Sequence, residues 1–135
     1  MNVLLTRPSP HTTLIEAGLV AAVAACQNAT DPSRKLDSQL AMAVFPALIE
    51  LPVLDTGIWL QHDGTRVRAL RYSEARSAAS TLVPAGCWID SDDLQIIVSG
   101  ASGEWRGTHP HEAISLCIAA LSARIAEVRD GCRIA

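Results

Sequence analysis

The sequence predicts a single α+β domain over residues 1–135, a sandwich of about four helices on a largely antiparallel sheet of about five short strands. Three observations carry that expectation. Apolar residues recur at helical spacing toward both ends of the chain, whereas in the middle they alternate. Turn-forming clusters (HDGT, SDD, GASG) divide the alternating stretches at hairpin intervals. The resulting order is two helices, two strands, one helix, three strands and one helix, which is not the regular alternation of a parallel α/β protein.

Each element follows from its own residues. Thr13-Leu-Ile-Glu16 has the spacing of a capping box, and Ile15, Leu19, Ala22, Val23 and Cys26 continue as one apolar stripe. QNATDPS interrupts it. Asp31 and Pro32 form a helix start, with the Asp as cap and the Pro at the first position. Leu36, Leu40, Ala43 and Val44 stripe the second helix, which Pro46 ends. ALIELPVLDTG is read as loop or irregular strand, because Pro52 lacks the N–H that a central strand needs. IWLQHDGTRVRAL is a hairpin turning at His62-Asp63-Gly64-Thr65. Ser73 is placed to cap a third helix with Ala75, Ala78, Ala79, Leu82 and Val83 on one face, ended by Pro84 and Gly86. CWIDSDDLQIIVSGASGEWRG follows as three strands with turns at Ser91-Asp92-Asp93 and Gly100-Ala101-Ser102-Gly103. Leu94, Ile96 and Val98 mark the core side. The last helix is predicted from Pro110, with His109 as cap and Glu112 in its first turn. Ile114, Cys117, Ile118, Leu121, Ile125 and Val128 form its stripe, and Gly131 suits its end.

The composition narrows the function classes. The chain is 49% hydrophobic and 19% charged, with a formal net charge of −3. That balance argues against a general nucleic-acid binder, which carries a basic footprint. Cys26, Cys87, Cys117 and Cys132 include no C-x-x-C pair, and Cys26 and Cys117 fall on apolar helix faces. They read as buried, reduced thiols of a cytoplasmic protein. Val23-Ala24-Ala25-Cys26 has the form of a lipid-attachment box, but Pro8, Pro10 and Glu16 interrupt the apolar run that export requires. No stretch is long enough to span a bilayer.

ATDPSRKLDSQLA, RYSEARSAASTLVPAGCWI and HPHEAISLCIAALSA, in this order, resemble small proteins of phages, prophages and proteobacteria in the phage "ABA sandwich" group. The resemblance covers most of residues 30–125 and describes caps and packing. His109 stands where that pattern carries a cap Thr, and the hairpin around Trp59 departs from it. The resemblance implies an α–β sandwich and an accessory role in infection, and it supplies no catalytic residues.

The remaining candidates come from the residues. His109, His111, His62 and Cys87 are the available zinc ligands, but only His109 and His111 have useful spacing, and a zinc site needs three or four. Ser73, Ser77 and Ser80 lack the Gly-x-Ser-x-Gly elbow of a hydrolase nucleophile. Asp90, Asp92 and Asp93 read as an ordinary turn, and SGASG lacks the Lys of a phosphate loop. No metal or cofactor is expected. Trp59 and Trp88 read as core or dimer-contact residues.

The suggestive cluster is Arg66, Arg68, Arg71 and Tyr72, with Trp105 and Arg106 further on. Alternation puts Arg66 and Arg68 on one strand face, and arginines beside an aromatic ring can hold an anion or anchor an interface. The competing reading is a solvated edge kept soluble by its charges. The expected function is therefore non-enzymatic binding by a phage or prophage accessory protein in the host cytoplasm. Its partner would be a host protein or small anionic ligand, with a component of host immunity as the specific expectation. A homo-oligomer is compatible with the sequence. A virion or tail-assembly role and a small enzyme acting on a nucleotide or acyl group are the alternatives.

Overall fold

A computed structural model describes residues 10–93 and 95–134, with side chains from 12 to 131. The α+β class is as predicted. The described residues form four α-helices and six strands: α1 (Pro10–Asn28), α2 (Arg34–Val44), β1 (Val53–Asp55), β2 (Ile58–Leu60), β3 (Arg66–Arg68), α3 (Arg76–Ser80), β4 (Trp88–Asp92), β5 (Gln95–Gly100), β6 (Gly103–Thr108) and α4 (Glu112–Ile134). The strands make two antiparallel sheets, ordered β1-β2-β3 and β4-β5-β6. The additional strand is β1. It lies at a sheet edge, just after Pro52, where the missing N–H does no harm.

The core forms around α4, whose apolar stripe is wide because small residues fill the gaps between large ones. Ile114, Leu116, Cys117, Ala119, Ala120 and Leu121 are all fully buried. One side of α4 packs on α1 and the other on the inner face of β5 and β6. That inner face carries Ile96 and Val98, which register with Gly107 and Trp105 of β6. Gly107 permits the closest approach: a β-carbon there would collide with the Ser115 carbonyl on α4. Leu94, predicted for this face, lies outside the described residues.

Several helix ends differ from the sequence reading. α1 begins at Pro10, so Thr13 lies within the helix and does not cap it. The cap of α2 is Ser33, whose side chain accepts from the Leu36 N–H at 3.1 Å, two residues beyond Asp31. α3 is a single short turn of helix with no side-chain cap. Gly131 is inside α4, which continues to Ile134. His109 does cap, by accepting the His111 N–H on Nδ1 at 2.9 Å.

Candidate functional site

Strand β3 is the outer strand of the first sheet. Its register opposes Arg66 to Leu60, Val67 to Trp59 and Arg68 to Ile58. Trp59 is buried and Val67 half-buried, so this pair faces the protein. Arg66 and Arg68 therefore share the outward face, as alternation predicts, and both are exposed. The hairpin turn that presents them is held by Asp63, which accepts the Thr65 N–H at 2.9 Å. The Thr65 hydroxyl, with that amide, keeps the Asp63 carboxyl below its ordinary pKa.

The other arginines whose side chains are described all have partners. Arg34 pairs with Asp37, Arg71 with Glu74, Arg76 with Glu112, Arg106 with Glu104 and Arg129 with Glu16. Arg124 donates to the Leu82 carbonyl at 2.6 Å. Arg66 and Arg68 alone among them have neither an ion pair nor a side-chain hydrogen bond among the described residues.

The rest of the predicted cluster does not join them as a continuous rim. Tyr72 is a core residue, 4% exposed. Burial raises its phenol pKa, and the Tyr72 carbonyl accepts the Cys117 thiol at 3.3 Å. The aromatic ring expected beside the arginines is thus unavailable to a partner. Trp105 and Arg106 belong to β6 of the other sheet and point to opposite faces. Trp105 is half-buried in a small cleft with Ser122, Ile125 and Arg129, while Arg106 bonds Gln95 and Glu104 on the outer face.

Sequence reasoning missed a polar junction behind the arginine pair. Asp37 is buried, and its Oδ1 accepts the Ser73 N–H at 2.8 Å and the Ser73 hydroxyl at 2.7 Å. Its Oδ2 accepts from Arg34 at 2.9 Å, and Arg34 in turn donates to the Ala69 carbonyl at 2.9 Å and the Leu70 carbonyl at 3.3 Å. Gly57 makes room for this: its φ is +78°, and Arg34 Nη2 lies 2.9 Å from where a β-carbon would stand. The junction ties α2 to the chain leaving β3. Ser73, expected as a helix cap, is part of this tie.

The other candidates have structural placements. His109 Nε2 lies 2.6 Å from the Ala29 carbonyl, and His111 Nε2 is 3.4 Å from Asp31. These contacts fasten the end of α1 to the start of α4. Among the described residues no group of three or more His, Cys, Asp or Glu converges to hold a metal. Ser80 donates to the Ser77 carbonyl at 2.7 Å. Asp90 and Asp92 alternate along β4, while Asp93 turns the chain with φ +49°. Of the four thiols expected to be buried, Cys26 and Cys117 are fully buried, Cys87 is only half-buried, and the Cys132 side chain lies outside the described residues. The neighbouring Cys26 and burial hold the Cys117 thiol far above its ordinary pKa. Trp88 is 56% exposed, whereas Trp59 is buried with no partner for its Nε1 among the described residues. A groove of about 520 Å³ runs between α1 and the Pro46–Glu50 turn, lined by Leu14, Ile15, Met42 and Ile49.

Fold and site together define a class: an α+β protein of two small antiparallel sheets, one of which displays an arginine pair at an open strand edge. No family model, curated protein or solved structure matches this chain.

Proposed function

We propose that this protein acts by binding an anionic partner through Arg66 and Arg68. The observation that carries the reading is the contrast between these two exposed guanidiniums and the other described arginines, each of which has a partner within the fold. In a chain of net charge −3, two unpaired arginines on one strand face form a local site with the opposite sign to the whole. Guanidinium groups bind carboxylates and phosphates through directional, charge-assisted bonds. The resemblance of three segments to phage proteins supports the finer reading of an accessory protein in the host cytoplasm whose partner is a component of host immunity. Among the described residues no helix is long and apolar enough to cross a membrane.

Retention on immobilised poly-L-glutamate, at low and high salt, tests the reading. The parent is expected to be held at low salt and released at high salt, since exposed charge pairs are screened. The double variant Arg66→Ala, Arg68→Ala should pass through unretained. Equal retention of the two proteins would return β3 to the role of a solvated edge.

A further inference from the structure

We infer that the partner of this edge is an extended acidic peptide that adds to β3 as a fourth, antiparallel strand of the first sheet. The inference rests on the proposed anion-binding role of Arg66 and Arg68 and deepens it.

The hydrogen-bond pattern sets the direction of the free groups. The Gln61 N–H donates to the Thr65 carbonyl at 2.8 Å, and the Ala69 N–H donates to the Gly57 carbonyl at 2.8 Å. With the β2–β3 register, these bonds make Thr65, Val67 and Ala69 the residues whose backbone points at β2. The N–H and C=O of Arg66 and Arg68 consequently point the other way, off the open edge. Among the described residues no backbone hydrogen bond uses them.

The two unpaired side chains and the unpaired backbone groups thus belong to the same two residues. An incoming antiparallel strand would exchange backbone bonds with Arg66 and Arg68, and the residues opposite them would have side chains on the arginine face. Those opposite residues lie two apart in the peptide, about 6.6 Å along the strand, which matches carboxylates at alternate positions. The intervening residue would face the side of Val67. Main-chain bonds would supply affinity and the alternate acids specificity, the division of labour in strand addition. The free edge is short. Beyond it the Leu70 carbonyl accepts from Arg34 at 3.3 Å, so the ladder closes there.

A capped peptide of the pattern Thr-Glu-Val-Glu-Thr, titrated into the full chain and followed by NMR, tests the inference. Methylating both Glu amide nitrogens removes the donors that face β3 and keeps every charge. This should weaken binding about tenfold or more, whereas methylating the Val amide, which faces away, should leave it unchanged. Exchange of the Arg66 and Arg68 amides should slow in the complex. If the Glu-methylated peptide binds like its parent, strand addition is overturned while the arginine reading stands. Strand addition is equally overturned if the peptide fails to bind and poly-L-glutamate still does. Binding unaffected by Arg66→Ala, Arg68→Ala overturns both. A short oligothymidylate binding more tightly than the peptide would assign the edge to a phosphodiester backbone and overturn the inference.

Discussion

The two sheets have the same strand number and direction but different relations to the core. β4-β5-β6 lies on α4, with Ile96, Val98 and Gly107 pressed against the helix. β1-β2-β3 has three-residue strands and is fastened by one buried ring, Trp59, and by the Arg34–Asp37–Ser73 junction. The first arrangement makes a sheet part of the core. The second leaves a small sheet whose outer edge can serve a partner without carrying the fold.

The largest effects should separate the sheets by the scope of unfolding. Leu121→Ala removes a fully buried side chain of α4 and should destabilise the whole protein by roughly 2–5 kcal/mol. Trp59→Ala should cost roughly 3–5 kcal/mol at its site and open the first sheet preferentially. Hydrogen exchange should then show Leu60 and Ala69 losing protection while the central strand β5 keeps it. Equal loss in both sheets would remove the distinction. Trp59→Phe should be far milder, because the indole N–H it deletes has no partner among the described residues.

Gly107→Ala comes next, at roughly 3 kcal/mol or more, because the clash is with helix backbone and cannot relax by a rotamer change. Gly18→Ala is the control: nothing lies within 4 Å, and in the interior of α1 it should gain about 0.5–1 kcal/mol. Chemical denaturation of both variants checks the pair.

The first sheet's polar fastening should also be measurable. Asp37→Ala removes the ion-pair partner of Arg34 and the acceptor of the buried Ser73 N–H, and should cost roughly 3 kcal/mol by denaturation. A loss within about 0.5 kcal/mol, the range of ordinary surface substitutions, would show that Trp59 alone holds the sheet.

The core beneath has a pH signature of its own. The Cys117 thiol stays protonated in the folded state but ionises freely when unfolded, so its contribution is complete below about pH 8.5 and is lost as pH rises above it. Tyr72 adds to the loss from about pH 10 upward. Melting temperatures recorded from neutral to alkaline pH should therefore fall, and Cys117→Ala should flatten the first part of that fall.

What was legible in the sequence was periodic. The α4 stripe, the β4–β6 meander, the hairpin and the shared face of Arg66 and Arg68 all follow from spacing. What was hidden depended on partners distant in the chain. Asp37 looks like a surface acid in a helix's first turn, and its burial is explained by its contacts with Arg34 and with Ser73, thirty-six residues away. Tyr72 beside Arg71 reads as a rim, yet the chain leaving β3 turns it into the core while Arg71 stays outside with Glu74. Trp105 and Arg106 are adjacent in sequence, and adjacency on a strand sends them to opposite faces.

The smallest expected effect on stability is that of emptying the β3 edge of its two guanidiniums. Arg66→Ala, Arg68→Ala should leave the melting temperature within about 2 °C of the parent, since exposed charges contribute little to folding. In the same samples, affinity for the Thr-Glu-Val-Glu-Thr peptide should fall about tenfold or more. A melting temperature that drops while peptide affinity is unchanged would contradict the account, making β3 a structural strand and its arginines part of the fold.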